Sequence, residues 1–301
     1  MLKFIPEIME FCRVTCLEVE ALDSTNIRPD HWTSLAAAIR DHYDAFDGFI
    51  ITHGTDTMAY TSSALSYLIQ NSAKPIVLTG AQRPIWATGS DAPKNLLDAF
   101  YFAANGAMGG VFIVFGGRAI LGTRARKVKT MSYSAFSSIN FPTVAYLHYR
   151  KVTSYIDLKP EGKVKFFEKL NPRVCLIKLT PGMPPDVLAY LAKSNDALIV
   201  ESFGSGGLPF SFHETARSIS GQGIPIILST QVTFEGSDLD AYEVGGRIAS
   251  LPGVIETHDM TVESALTKIM WILPQVCDFG KIRELFYRPI ARDIDCPQEA
   301  D

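Results

Sequence analysis

The sequence predicts a two-domain α/β protein, with a larger N-terminal domain built on a parallel, doubly wound sheet and a smaller C-terminal α/β domain. Short apolar segments alternate with segments of helical length in both halves, which is the pattern of β–α–β units. The run Val111–Phe115 is continuously apolar, as expected of a strand buried on both faces. At 301 residues the chain is long enough for two domains with a sizeable core.

The first half carries four predicted strands and three predicted helices. The first helix has a proline near its first turn and alanines inside, which favours helix formation. The strands are Arg13–Val19, Gly48–Thr52, Pro75–Leu78 and Gly110–Phe115, and the helices are Pro29–Phe46, Met58–Gln70 and Asp91–Asn105.

Between about Met131 and Asn171 the alternation weakens, and this stretch is rich in Ser, Tyr and Lys. We interpret it as the end of the first domain and a linker, with a short hairpin. The predicted boundaries are residues 1–150, a linker over 151–172 and residues 173–301. In the last segment the predicted strands are Val174–Lys178, Ala197–Glu201 and Pro225–Ser229, and the helices are Pro185–Ala192, His213–Ser220 and Val262–Pro274.

Composition excludes several classes of function. The chain is 47% hydrophobic and 20% charged with a net charge of −4, so it has no basic excess to attract nucleic acid or anionic membranes. No apolar run is long enough to span a membrane, and the N-terminus lacks the apolar core of a signal peptide. The five cysteines lack metal-ligand spacing, which indicates reduced thiols and predicts a cytoplasmic protein.

The segment His53–Tyr60 is the most informative stretch, because a short apolar strand ends there in a polar loop before a helix. In an open α/β sheet, ligands bind at the carboxyl ends of the strands. Thr55 and Asp56 form a candidate nucleophile and orienting acid. The structural alternative is helix capping, for which Thr57 is the natural residue. Capping by Thr57 leaves Thr55 and Asp56 without a structural role.

Two more polar loops, Asp23–Asn26 and Thr79–Pro84, are predicted at the same sheet edge, which favours a pocket over independent caps. A threonine hydroxyl is a poor nucleophile and needs a base. Lys127 and Lys129 are candidates in the basic segment 122–129, although a solvated basic loop is the ordinary fate of such a run. From the residues alone, the choice between the two lysines stays open.

Three other features have structural explanations that we prefer. His53 fits a partly buried histidine with satisfied hydrogen bonds. The glycine-rich segment Gly204–Gly207 lacks the lysine and spacing of a phosphate-binding loop and fits a tight turn. Glu263 fits the first turn of a helix, where the dipole favours a carboxylate.

These motifs resemble the bacterial-type L-asparaginase family, and most closely its cytoplasmic type I members. The resemblance covers nearly the whole chain. It is carried by Asp23–Asn26, His53–Tyr60, Thr79–Pro84, Arg124–Lys127 with Ala135–Ser138, Glu201–Gly206 and Asp259–Glu263. The His-Gly-Thr-Asp-Thr block is the most specific of them.

The resemblance implies hydrolysis of L-asparagine to L-aspartate and ammonia by a triad of Thr55, Asp56 and Lys127, and so selects Lys127 over Lys129. It implies that Asp56 holds the substrate α-ammonium and Ser24 the α-carboxylate, and that backbone N–H groups near Gly54 bind the oxyanion. It implies no metal or organic cofactor, and a homodimer or homotetramer. The implied substrate-binding residues are Asp23, Ser24, Thr25, Gly54, Thr55, Asp56 and Ala81.

The sequence departs from the family pattern in two places. Nothing before Arg13 matches the first family strand, which ends in Thr-Gly-Gly-Thr-Ile and supplies a second threonine nucleophile. Gly207 stands where many members carry an asparagine that reaches a neighbouring subunit. One hypothesis is therefore an L-asparaginase from an N-terminally shortened gene.

Two alternatives stay open. The first is a catalytically inactive or partner-dependent relative that binds amino acids. The second is the amidase subunit of a tRNA-dependent amidotransferase, whose chains usually carry an additional N-terminal domain.

Overall fold

The computed structural model describes residues 2–106, 108–160, 162–241, 246 and 248–295. Its elements fall into two units, Met1–Glu168 and Lys169–Asp301. The sequence-based boundaries at 150 and 172 stay a prediction. The range assigned to the linker contains the sheet strand Lys151–Ser154.

A six-stranded sheet forms the centre of the first unit. Its strands are β1 (Phe49–Thr52), β3 (Pro75–Thr79), β4 (Gly110–Phe115), β5 (Arg118–Leu121), β8 (Ala145–His148) and β9 (Lys151–Ser154). They lie side by side in the order β1-β3-β4-β5-β8-β9. Strands β1, β3 and β4 run parallel, whereas β5, β8 and β9 are added antiparallel. The sheet is thus mixed, because short hairpins join β4 to β5 and β8 to β9, and β5 pairs antiparallel with β8.

Two small ladders complete the strands of this unit. Strand β2 (Ile69–Gln70) pairs with β10 (Lys165–Phe166), so the helix predicted to reach Gln70 ends earlier. Strand β6 (Ala125–Lys127) pairs antiparallel with β7 (Phe136–Ser138). The second ladder matters for the site because it holds the basic segment in a fixed register.

Helices α1 (Pro29–His42), α2 (Met58–Leu68) and α3 (Ala92–Asn105) belong to the first unit. Proline occupies the first turn of α1 and of α3, where its missing N–H costs nothing. Almost every residue of α2 is buried, as expected of a helix enclosed by the core. This rigid helix follows directly on the loop that carries Thr55.

The predicted strand Arg13–Val19 is wrong, because residues 13–19 form no regular secondary structure. A strand needs a partner to satisfy its backbone groups. Within the described residues, β1 pairs only with β3, and no described strand lies at its other edge. The side chain of Leu17 is accordingly exposed rather than buried by a sheet.

The second unit contains a fully parallel sheet of four strands. These are β11 (Val174–Lys178), β12 (Ala197–Ser202), β13 (Ile226–Thr230) and β14 (Val254–Glu256), and the helices of this unit include α4 (Asp186–Ala192), α5 (His213–Gly221), α6 (Val262–Ile272) and α7 (Phe279–Tyr287). The strands lie in the order β11-β12-β13-β14. The α/β class, with a large N-terminal sheet and a separate C-terminal parallel sheet, is confirmed.

A buried ion pair ties the end of the second unit to α6. Lys268 Nζ lies 2.6 Å from Asp293 Oδ2, and both side chains have no exposed surface. Lys268 also donates to the carbonyl of Arg288 at 2.9 Å, and Asp293 accepts the N–H of Ile290 at 2.8 Å. Two charges buried at this depth are tolerable only as a pair with further hydrogen bonds.

Among the described residues, no helix combines the length and apolar character needed to cross a bilayer.

Candidate active site

The loops that follow β1 and β3 lie side by side because these strands pair in register, Thr52 opposite Thr79. The N–H of His53 donates to the carbonyl of Thr79 at 2.9 Å, which continues the ladder by one bond. A Cβ on Gly80 would lie 2.2 Å from the carbonyl oxygen of His53. Only glycine permits this approach, so the two loops are held in contact by their backbones.

The turn that contains Ser24 closes on the first of these loops. Asp23 caps the one-turn helix Ser24–Asn26, since its Oδ1 accepts both the N–H and the hydroxyl of Thr25 at 2.9 Å. These two hydrogen bonds, the backbone one first, lower the pKa of Asp23. The carboxylate therefore serves to fix the turn.

Thr57 and Gly54 connect this turn to the loop after β1. The hydroxyl of Thr57 donates to the carbonyl of Ser24 at 2.7 Å, and no side-chain cap is formed at the start of α2. The capping alternative for Thr57 is therefore wrong. A Cβ on Gly54 would lie 2.5 Å from Ser24 Oγ, so the glycine leaves room for that hydroxyl.

Thr55, Asp56 and Lys127 meet at one point. Lys127 Nζ lies 2.8 Å from Thr55 Oγ1 and 2.6 Å from Asp56 Oδ1. Thr55 is buried, the Lys127 side chain is 17% exposed and that of Asp56 is 58% exposed. A buried hydroxyl thus touches an amine, and the amine is held by a carboxylate that solutes can reach.

The ladder of β6 and β7 decides between the two lysines. Lys127 lies opposite Phe136 in this ladder and points to Thr55. Lys129 lies beyond the end of β6, and its Nζ donates to Ser134 Oγ at 2.9 Å. Lys127, and not Lys129, is therefore the lysine that contacts Thr55. The residue types alone left this choice open.

Gln82 is a site residue that the sequence reasoning missed. The hydroxyl of Thr55 donates to Gln82 Oε1 at 3.2 Å. The amide is fixed in this orientation because its Nε2 donates to the carbonyls of Thr130 at 2.9 Å and Ser132 at 3.2 Å. The motif Thr79–Pro84 contains this residue, but the family resemblance implied Ala81, which lies half-buried beside Gln82.

Asp91 stabilises the loop that follows β3. The sequence reasoning also missed this residue, because the sequence indicated only a helix start there. Its carboxylate is buried and accepts the N–H of Gln82 on both oxygens at 3.0 Å and that of Arg83 at 3.0 Å. It also accepts from Asn95 Nδ2 at 3.1 Å. A carboxylate with this many donors holds the turn at Gln82 rigidly.

In the second unit, the two secondary motifs take structural positions. Gly204, Gly206 and Gly207 all have positive φ, so this segment is a turn that needs glycine. Glu263 lies buried in the first turn of α6, where Thr261 caps the helix through the N–H of Ser264. Both observations agree with the structural interpretation of these motifs.

Over the described part of the chain, no group of three or more His, Cys, Asp or Glu side chains is arranged to hold a metal ion. The cysteines that the structure describes, Cys12, Cys16, Cys175 and Cys277, are free thiols. Cys296 lies outside the described residues.

Comparison with known proteins gives matches over both units. Residues 1–159 match the family model "Asparaginase, N-terminal", and residues 173–286 match "Glutaminase/Asparaginase C-terminal domain". The chain is 41% identical over 287 residues to the L-asparaginase of Thermococcus kodakarensis, with 94% of this chain and 86% of that protein covered.

Two further similarities extend this result. The solved structure of the thermostable L-asparaginase from Thermococcus kodakarensis matches with a TM-score of 0.90 and 38% identity, over 97% of this chain and 90% of that one. The chain is also 32% identical to a glutamyl-tRNA(Gln) amidotransferase subunit of Sulfolobus acidocaldarius, with 98% of this chain and 69% of that protein covered.

Proposed function

The chain belongs to the asparaginase family, and on this premise we propose that it is an L-asparaginase, which hydrolyses L-asparagine to L-aspartate and ammonia. The contact of Lys127 Nζ with both Thr55 and Asp56 is the observation that carries the proposal. It supplies a nucleophile, a base and an orienting acid within hydrogen-bond distance, which acyl transfer requires.

The hydrogen bonds define the resting state of the nucleophile. Thr55 Oγ1 accepts from Lys127 and donates its own proton to Gln82 Oε1. A lysine ammonium has donors only, so it cannot take a proton in this state. The proposed reaction therefore needs Lys127 as the free amine, with the Thr55 hydroxyl turned from Gln82 towards its Nζ.

The chemistry then follows in two steps. Thr55 Oγ attacks the side-chain amide carbon of asparagine while its proton moves to Lys127. The tetrahedral intermediate collapses to an ester on Thr55, and the nitrogen takes the proton from Lys127 and leaves as ammonia. Water next attacks the ester and gives a proton to Lys127, which passes it to Thr55 Oγ as aspartate is released. The backbone N–H groups of Gly54 and Thr55 are the proposed oxyanion donors.

Substrate recognition is proposed for the turn and the loops that surround Thr55. Asp56 is more than half exposed, so its carboxylate is accessible to the substrate α-ammonium. Ser24, packed against Gly54, is assigned the α-carboxylate. Asp23 and Thr25 hold the turn, and Ala81 lines the pocket.

Two properties of the whole protein are part of the proposal. We assign it to the cytoplasm, since the described cysteines are free thiols. We also assign a homodimer or homotetramer, which light scattering of the purified protein would measure.

Ammonia release from L-asparagine tests the proposed activity. Thr55→Val keeps the shape of the side chain and removes the hydroxyl, so turnover should disappear. Lys127→Met should do the same, whereas Lys129→Met should keep near-normal turnover. An inactive amino-acid-binding relative would release no ammonia, yet L-aspartate would raise its melting temperature. Activity that required a charged tRNA would favour the amidotransferase alternative.

A further inference from the structure

A chain of hydrogen bonds runs from α1 into the nucleophile loop. Trp32 Nε1 donates to Thr61 Oγ1 at 2.9 Å. Thr61 Oγ1 lies 2.9 Å from His53 Nε2, and His53 Nδ1 lies 2.6 Å from the carbonyl oxygen of Gly54. Trp32 and Thr61 are buried, with 5% and 0% of their surface exposed. These hydrogen bonds therefore end on the peptide bond that joins Gly54 to Thr55.

The chemistry of each group fixes the direction of these bonds. A carbonyl oxygen only accepts, so His53 Nδ1 carries a proton and donates it to Gly54. An indole N–H only donates, so Thr61 accepts from Trp32 and is left with its own proton to give. Burial lowers the pKa of His53 and so favours the neutral ring, although the hydrogen bond to Gly54 raises this pKa. Its Nε2 therefore accepts from Thr61.

We propose that His53 is a positioning residue that holds and polarises the Gly54–Thr55 peptide bond. The inference rests on the proposed function, in which the N–H of Thr55 binds the oxyanion. A peptide unit is planar, so a hydrogen bond that fixes the Gly54 carbonyl also fixes the direction of the Thr55 N–H. Donation to the carbonyl strengthens that N–H as a donor, because hydrogen bonds in a chain polarise one another.

His53 is expected to stabilise the transition state and not the bound substrate. An oxyanion forms only as Thr55 attacks, so better positioning of its donor raises kcat and leaves KM nearly unchanged. Removal of a whole oxyanion donor lowers kcat by about 100-fold to 1,000-fold. In the absence of His53 the donor stays in the backbone but is loosened, and we expect a loss of about tenfold.

Two substitutions test the contributions of the two ring nitrogens of His53 separately. His53→Asn places an amide N–H where Nδ1 stands and retains the donor to Gly54, but it loses the contact with Thr61. His53→Gln reaches the Nε2 position and can accept from Thr61, but it loses the donor to Gly54. The proposal predicts that kcat of H53N stays within about threefold of the wild type, and that H53Q falls about tenfold at similar KM.

A purely structural role gives a different result. If His53 only packs the loop, H53N and H53Q lose melting temperature and kcat in parallel, and this outcome overturns the proposal. An equal kcat for H53Q and the wild type overturns it as well. A wild-type protein that releases no ammonia would instead contradict the proposed function.

NMR tests the inference without turnover. In ¹⁵N-labelled wild-type protein, the imidazole of His53 should show its proton on Nδ1 and an unprotonated Nε2. The amide proton of Thr55 should shift towards a weaker hydrogen-bond donor in H53Q and stay near its wild-type position in H53N. A proton on Nε2, or a Thr55 amide that is the same in H53Q as in the wild type, refutes the proposal.

Discussion

Replacing Gly54 by alanine puts a methyl group into the contact between the nucleophile loop and Ser24. The new Cβ would lie 2.5 Å from Ser24 Oγ and 2.7 Å from Ser24 Cβ, whereas ordinary contacts begin at 3.4 Å. The loop or the turn must therefore move by about 0.9 Å at this point. Overpacking of this kind costs about 1–3 kcal/mol, which lowers Tm by about 2–4 °C per kcal/mol in a unit of this size.

The same displacement acts on Thr55, the next residue. A shift of about 1 Å in a reacting group lowers the rate by about 100-fold, so kcat/KM of Gly54→Ala should fall by that order. Thermal unfolding followed by circular dichroism and ammonia release are the two assays. Gly221→Ala is the matched control, because nothing lies within 4 Å of its Cβ and its Tm should not fall.

A double variant isolates the cause. Ser24→Gly removes both close atoms, so Gly54→Ala combined with Ser24→Gly should recover most of the lost Tm relative to Ser24→Gly alone. Activity is not expected to return, since Ser24 is assigned to substrate binding. If Gly54→Ala melts like the wild type, or if the two changes are additive in Tm, the contact with Ser24 does not determine the position of this loop.

Three other predictions follow from the structure. Lys127→Met should lower kcat by at least about 100-fold, the scale of a lost general base; near-normal kcat in Lys129→Met is the control, and a reversed order would contradict the assignment. Lys268→Met should lower the free energy of unfolding by about 3–5 kcal/mol in urea melts, because the buried carboxylate of Asp293 loses its ion-pair partner. The double variant with Asp293→Asn should regain much of this loss, and a wild-type midpoint for the single variant would refute the claim. Burial lowers the pKa of His53 below its ordinary 6.5, so its contribution to stability is complete above pH 6.5 and is lost as the pH falls towards the folded-state pKa. The fall in Tm on acidification should therefore be smaller in His53→Asn than in the wild type. An equal fall would show that His53 does not cause this pH dependence.

The sequence was sufficient for those parts of the site that depend on strand order. Thr55 and Asp56 follow a predicted strand that the structure has as β1, and the motif Thr79–Pro84 begins at the last residue of β3. Because these two strands pair in parallel, their following loops meet at one edge. The alternation of apolar strands and helices is a local sequence pattern, and it was enough to predict these strands and loops. The family resemblance then added Lys127.

The sequence did not predict contacts between residues that are far apart along the chain. The orientation of Gln82 is set by the carbonyls of Thr130 and Ser132, which lie 48 and 50 positions away. No local pattern records such a contact. Asp91 was missed for another reason. It lies only 9 positions from Gln82, but its place at a helix start indicated a helical residue and not a carboxylate that binds this turn.

The predicted strand Arg13–Val19 failed for a related reason. Local alternation shows that a segment can form a strand, but a strand exists only where a neighbour accepts and donates its hydrogen bonds. The stretch from Met131 to Asn171 shows the converse. A short hairpin is predicted there, and β8 and β9 form one, yet their addition to the edge of the main sheet was not predicted.

Ammonia and L-aspartate released from L-asparagine by the purified wild type and its Thr55→Val variant test the central claim most directly. We predict equal amounts of the two products from the wild type. From Thr55→Val we predict no turnover above background, with a cooperative unfolding transition that shows the variant to be folded. Turnover by a folded Thr55→Val variant would contradict the claim that this hydroxyl, held between Lys127 and Gln82, is the nucleophile.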